Sequence, residues 1–301
     1  MQVDVVGSVN VDLVLRVDDL PAPGETVMAV DFARMPGGKG ANQAAAAARM
    51  EAATRLLAAV GDDEAGVWMR EQLAQAGVDV SAVAPRPGLP TGAAHIAVDA
   101  RGENQIIVLP GANHALGPVT PLEDALVVLA QNEVPVESIA SAFAETAALR
   151  LLNAAPAEPT ALAIFGLVDV LIVNEHELAR YAAVAGITGA DEAALAHGLL
   201  MRGQGAPRLA VVVTLGARGC LAVWRDRQVA VPAFPVVPLD TIGAGDCFCG
   251  ALAALLAGGS DLASALPMAN AAAALCTQAR GAVPAMPARA AVEAFMTTSG
   301  Q

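Results

Sequence analysis

The chain has 301 residues, enough for one large α/β domain with an insertion or for two smaller domains. Hydrophobic residues make up 55% and aromatic ones only 3%, so the core is built from Ala, Val and Leu, and no uninterrupted apolar run is long enough for a bilayer. A net charge of −13 with no basic block argues against nucleic acid or an anionic membrane surface as a partner. Met1 leads straight into a strand-like Val3–Val6 with no basic region ahead of an apolar run, so no secretory leader and a cytoplasmic location are expected. Cys220, Cys247, Cys249 and Cys276 show neither metal-ligand spacing nor disulfide density, which fits a reducing compartment.

Val3–Val6 reads as a first buried strand that runs into Gly7-Ser8-Val9-Asn10-Val11-Asp12. Asn10 and Asp12, just beyond a strand's C-terminal end, stand where α/β sheets place ligands; the alternative is a plain exit with an Asx turn. Leu13–Val17 continues as a strand, Asp18–Gly24 is a turn cluster, and Glu25–Phe32 returns as another strand. Two strands before any helix predict a small β element attached to the main body. Met35–Gln43 fails as a Walker A loop, because no glycine has the required spacing before Gly38-Lys39 and Ala41 replaces the Ser/Thr that would hold magnesium. What remains is a glycine-led start to a helix over Ala44–Met50, where Asn42 and Lys39, the chain's only lysine, offer donors to a small hydroxylated ligand.

Thr54–Val60 is the next strand, and a helix follows over Glu64–Ala76. Gly92–Val98 and Asn104–Leu109 alternate in polarity around a hairpin turn at Ala100-Arg101-Gly102 and complete the β element begun at Leu13. From Leu122 onward, apolar strands alternate with helices. Strand Ala125–Ala130 ends at Gln131-Asn132-Glu133 and is followed by helix Pro135–Glu145; Leu149–Leu152 ends at Asn153, Val168–Val173 at Asn174, and Leu209–Val213 at Thr214. Such strands predict a parallel sheet covered on both faces, and their row of polar endings marks a ligand crevice along one edge. Asn174 and Glu177 open a helix either as a capping box or as ligand contacts. Thr214–Gly219 is either a glycine-rich exit whose Arg218 approaches phosphate or a hairpin turn into Cys220–Trp224.

The most informative stretch is Asp240-Thr241-Ile242-Gly243-Ala244-Gly245-Asp246, ahead of an apolar run over Phe248–Ala257. Glycines at a loop-to-helix junction expose backbone N–H groups as an anion cradle. A carboxylate beside an anion site is a poor choice for binding alone; it suits removal of a proton from a nucleophile aimed at that anion. The alternative is a glycine turn followed by an N-terminal helical acid. Asp261–Thr277 is a long Ala-rich helix, broken by Gly281-Ala282-Val283-Pro284.

Taken in order, Gly7–Asp12, Pro23–Val27, Gly37–Gln43, Pro110–Asn113, Asn174–Glu177, Thr214–Gly219 and Asp240–Asp246 resemble the ribokinase family of carbohydrate kinases. The resemblance spans nearly the whole chain. It implies one kinase domain over residues 1–301 with a three-layer α/β fold, a central mostly parallel sheet between helices, and a small β-sheet lid over about residues 13–36 and 92–110. It implies ATP-dependent phosphorylation of D-ribose at the 5-hydroxyl, with Asp246 as base and the amides of Gly243, Ala244 and Gly245 as anion hole. Asn10, Asp12, Gly38, Lys39, Asn42 and Glu133 match sugar-contacting positions. Asn174, Thr214, Gly216, Arg218, Gly219, Gly245 and Asn270 match nucleotide-contacting ones. Glu177 matches a position that organises Mg²⁺ through water. Asp240 matches the carboxylate of a potassium-type site to which Ile242, Cys276, Ala279 and Gly281 would add carbonyls, and Ala285 replaces a serine hydroxyl there. The alternatives are a deoxyribose, other sugar or nucleoside kinase, or a catalytically silent sugar- or nucleotide-binding regulator. Unpaired edges on a small lid sheet predict a homodimer through the lids.

Overall fold

The computed structural model describes residues 1–299. Its first half contains β1 (Gln2–Val6), β2 (Asn10–Arg16), β3 (Asp31–Gly37), α1 (Lys39–Arg49), β4 (Ala53–Gly61), α2 (Glu64–Gln75), β5 (Val78–Asp79), β6 (Val83–Arg86), β7 (Gly92–Val98) and β8 (Asn104–Leu109). β9 (Val127–Gln131), α3 (Val136–Ala144), β10 (Leu149–Asn153), β11 (Val170–Asn174), α4 (Glu175–Val184) and α5 (Glu192–Leu200) follow. The chain continues through β12 (Ala210–Thr214), β13 (Cys220–Val223), β14 (Gln228–Val231), α6 (Ala244–Ala257), α7 (Leu262–Cys276) and α8 (Arg289–Thr298).

The large sheet runs in the order β14-β13-β12-β11-β10-β9-β1-β4-β5, with β6 also on β4. Every pair is parallel except β12–β13 and β13–β14. Alternate residues point to opposite faces of a strand, and this divides the core in two. Val3, Val5, Leu56, Leu129, Leu151, Ile172 and Val212 pack on the side of α1, α2, α6, α7 and α8. Val6, Leu57, Val128, Leu152, Leu171 and Val211 pack on the side of α3, α4 and α5. The three-layer α/β arrangement with a central, mostly parallel sheet is therefore as expected.

A second sheet, β3-β2-β7-β8, has its own small cluster of Val14, Ala94 and Ile96. Two expectations change here. The strand read at Glu25–Phe32 instead occupies Asp31–Gly37, because the ladder with β2 runs from Arg16↔Asp31 to Asn10↔Gly37. Residues 25–30 lie outside any strand, with Met28 and Val30 exposed. Asn10 and Asp12 lie within β2 rather than in an exit turn after β1.

Helices also start earlier than their apolar runs indicate. α1 begins at Lys39, next to Gly38 (φ +89°), and α6 begins at Ala244, next to Gly243. Where α1 starts, the chain crosses the exit of β1 with no room for side chains. A Cβ on Gly40 would sit 2.5 Å from both the Gly7 carbonyl carbon and the Ser8 nitrogen.

Candidate active site

Gly243 adopts a left-handed conformation (φ +77°) that turns the chain into α6 and puts Asp246, 8% exposed, in the first helical turn. A cavity of 130 Å³ opens here, lined by Gly243, Gly245 and Asp246 from α6 and its cap, and by Lys39, Asn174, Glu177 and Thr214 from the neighbouring elements. The Ala244 N–H does not join them: it donates to the Thr241 carbonyl at 3.3 Å. Of the three residues whose amides are expected as an anion hole, Gly243 and Gly245 line the cavity, and the Ala244 N–H closes the turn.

The Asp246 carboxylate is held from α1. Asn42 Nδ2 donates to one oxygen at 2.8 Å, and Gln43 Nε2 donates to the other at 2.9 Å. The reach depends on how closely α1 and α6 pack. A Cβ on Gly250 would lie 2.3 Å from the Gln43 carbonyl oxygen and 2.6 Å from Ala46 Cβ, and Ala44, Ala45, Ala47 and Ala251 are fully buried around it. The alanine-rich composition is thus what lets two distant helices share a carboxylate. Asn42 Oδ1 has no partner although Asn42 is only 6% exposed, so it is free to accept from a ligand hydroxyl.

Gln43 was not singled out by its sequence, nor were Gln131 and Asn153 beyond being polar strand endings. Gln43 Nε2 also donates to Asn153 Oδ1 at 2.9 Å, and Gln131 Nε2 donates to Gln43 Oε1 at 2.7 Å. The usable signal was the row of strand endings: Asn153 stands opposite Gln131, and Asn174 opposite Thr214.

Glu133 anchors the other side of the site. It accepts from Ser8 Oγ at 2.5 Å and from the Lys39 backbone N–H at 3.0 Å. Ser8 is fully buried and was another residue without an assigned role. Asn113 is a third: it exchanges hydrogen bonds with the Val9 backbone and donates to Asn10 Oδ1 at 2.7 Å. The Asn10 amide is thereby oriented with its nitrogen free to donate. Asn10 and Glu133 line a second, larger cavity of 620 Å³, together with Asn113, His114, Val134 and Ile139.

The site is strongly acidic. Burial, then the charges of Glu133 and Asp246, raise the Asp12 carboxyl to about 7. Asp246 raises the Lys39 ammonium above its ordinary value; burial opposes this, and Glu133 and Glu177 add to it. Lys39 is the cation these acids share. Burial is also the main cause of the upward shift of Glu177.

Of the two readings of Asn174 and Glu177, the capping box is formed. Each side chain is bonded to the other's backbone at 2.8 Å, and both residues also line the cavity with Asp246. Arg218 pairs with Glu175 and Glu192, so its charge is already engaged. Gly216, Arg218 and Gly219 form the turn between β12 and β13, and none of them borders the cavity with Asp246. Asn270 donates to the Pro232 carbonyl at 2.7 Å and likewise stands outside that cavity. Asp240 ties two loops together, accepting from Ile242 N–H at 3.0 Å and Gly281 N–H at 2.9 Å. The Cys276 carbonyl accepts from Ala279 N–H at 3.3 Å, and Ala285 is buried nearby in the sequence. Among the described residues, no group of three or more His, Cys, Asp or Glu side chains is placed to hold a metal ion, and no helix is long and apolar enough to cross a membrane.

The family model of the pfkB family carbohydrate kinases matches residues 1–289. Ribokinase from Bacillus subtilis is 36% identical over 302 residues, covering 97% of this chain and 98% of that protein. Deoxyribokinase from Salmonella typhi is 33% identical over 276 residues, covering 88% and 89% respectively. The structure of Arabidopsis thaliana ribokinase complexed with ribose and ATP matches with a TM-score of 0.86 at 29% identity, covering 98% of each chain.

Proposed function

Because the chain belongs to the pfkB family of carbohydrate kinases and is an ATP-dependent sugar kinase, we propose that it phosphorylates D-ribose at the 5-hydroxyl with Asp246 as the general base. The observation that carries this reading is the Asp246 carboxylate in the first turn of α6. It borders the cavity beside the Gly243 and Gly245 backbones, and both its oxygens are held by amide donors that cannot take its place as a base. A sugar hydroxyl next to Asp246 loses its proton as it attacks the terminal phosphoryl group, and the N–H groups at the helix start receive the charge that develops there.

In this reading Asn10, Asp12, Gly38, Lys39, Asn42 and Glu133 surround the sugar. Asp12 accepts from adjacent hydroxyls, Asn10 donates, and the unpartnered Asn42 oxygen accepts. The nucleotide lies over Asn174, Thr214 and Gly245, towards Gly216, Gly219 and Asn270, and Arg218 reaches it by leaving its acidic partners. Glu177, a partly buried carboxylate raised by burial, suits a water-mediated Mg²⁺, which when bound neutralises phosphate charge. Asp240, with the carbonyls of Ile242, Cys276, Ala279 and Gly281, suits a potassium-type ion; Ala285 adds no ligand. The second sheet serves as a lid, and a second copy of the chain covers its exposed Phe32, Ile106 and Ile107.

Sugar-dependent release of ADP tests the assignment. Asp246→Asn is expected to lower kcat by about 10²- to 10⁴-fold, the usual range for a general base, with ATP affinity little changed. A near-normal rate in that variant refutes it. The Salmonella typhi relative favours deoxyribose as the second reading. Ranking the two sugars by kcat/KM decides between them, since a site built around a hydroxyl rejects the analogue that lacks it.

A further inference from the structure

We propose that Gln43 is a positioning residue that fixes the rotamer of the Asp246 carboxylate through a one-way relay of buried amides. The proposal rests on the reading of Asp246 as the base. Gln43 and Gln131 are fully buried, and Asn153 is 8% exposed. All three belong to different elements, α1, β9 and β10, and meet at one point beneath α6.

The direction of the relay follows from a backbone group. Asn153 Nδ2 donates to the Ile172 carbonyl, which can only accept. Asn153 must therefore turn its oxygen towards Gln43, and Gln43 must answer with its amino group. That leaves Gln43 Oε1 to face Gln131, which donates to it. Gln43 has two N–H groups; one goes to Asn153 and the other to Asp246 Oδ1. Reversing the Gln43 amide would set its oxygen against the Asn153 oxygen and against a carboxylate, two acceptors facing an acceptor. Asp246 thus always meets a donor on this side.

With Asn42 donating to Oδ2, the carboxylate is held at both ends, and its remaining lone pairs point away from α1. Without Gln43 it is held at one end only. The loss falls on orientation of the reacting group, hence on turnover rather than on sugar affinity. The other titratable groups facing Asp246 are Lys39 from α1, Asp12 from β2, Glu177 from α4, and Cys247 and Cys249 from α6 itself.

The test compares the full-length protein with Gln43→Leu, Gln43→Glu and Asp246→Asn, using kcat and KM for ribose across pH. Gln43→Leu is expected to lower kcat by about 10- to 100-fold, the range for losing one hydrogen bond to a charged group, with KM for ribose nearly unchanged. Gln43→Glu keeps the shape and puts a second carboxyl against Asp246. Two carboxyls so close share one proton, so the acid limb of the kcat profile moves to higher pH. Folded variants of both kinds with wild-type kcat and an unmoved acid limb, beside an inactive Asp246→Asn, overturn the proposal and leave the base assignment intact. An active Asp246→Asn overturns the base assignment itself. If Gln43→Leu does not fold, Gln43→Glu carries the test through its acid limb. If neither folds, Gln131→Met, one bond further from the carboxylate, must lower kcat several-fold at unchanged KM, and a wild-type kcat there overturns the proposal.

Discussion

Replacing Asp12 by asparagine should make the ligand-free protein more stable, and increasingly so as the pH rises. Asp12 sits half-buried in β2 facing two other acids, and its carboxyl is raised from 3.8 to about 7. Between these values the folded protein holds a proton that the unfolded chain has released. Stability therefore falls as pH rises through the window, and the full cost is present above it. A gap of about 3 units at about 1.4 kcal/mol each gives an upper limit near 4 kcal/mol, of which about 2.5 kcal/mol develops between pH 5 and 8. Water still reaches part of the side chain and screens the repulsion, so about half of that, roughly 1 kcal/mol, is the working expectation. Urea denaturation of both proteins from pH 5 to 8 reads this directly. The wild type should lose stability relative to Asp12→Asn across the range, with most of the separation developing between pH 5 and 7. Parallel curves would refute the reasoning, because they would mean that neither burial nor the charges of Glu133 and Asp246 raise Asp12 in the folded state.

Two further outcomes concern packing and assembly. Gly40→Ala is expected to destabilise the protein by about 1–3 kcal/mol, the usual cost of overpacking, because the added Cβ meets backbone atoms at 2.5 Å that have nowhere to go; an unchanged urea midpoint would show that β1 and α1 can separate at little cost. Light scattering at working concentration should give twice the mass of one chain, and a clean monomer would count against the second sheet as an interface.

What the sequence disclosed, and what it hid, divides along a physical line. Features set by neighbours along the chain were legible: the Gly243 turn with Asp246 in the first helical turn, the Asn174–Glu177 capping box, and the polar strand endings at Gln131, Asn153, Asn174 and Thr214. Features set by distant partners were not. The strand that begins at Asp31 was misplaced because its limits are decided by its register with β2, and the apolar residues 27–30 fall outside that register. The hold of Gln43 on Asp246 spans 203 positions and depends on a Gly250 contact between two helices. Arg218 looked free to meet an anion because Glu192, 26 residues away, gave no local sign of reaching it.

The second sheet is rooted in the pocket. Asn10 stands opposite Gly37 on one side and Gly92 on the other, so three adjacent strands meet the rest of the molecule along a single row. Arg16, at the far end of β2, is about 20 Å away at 3.3 Å per residue. A tilt about that row would sweep the tip through several times the displacement felt at the base. The groups around Asn10 therefore sit at the fulcrum of any such rocking, and they keep their places while the rest of the sheet swings.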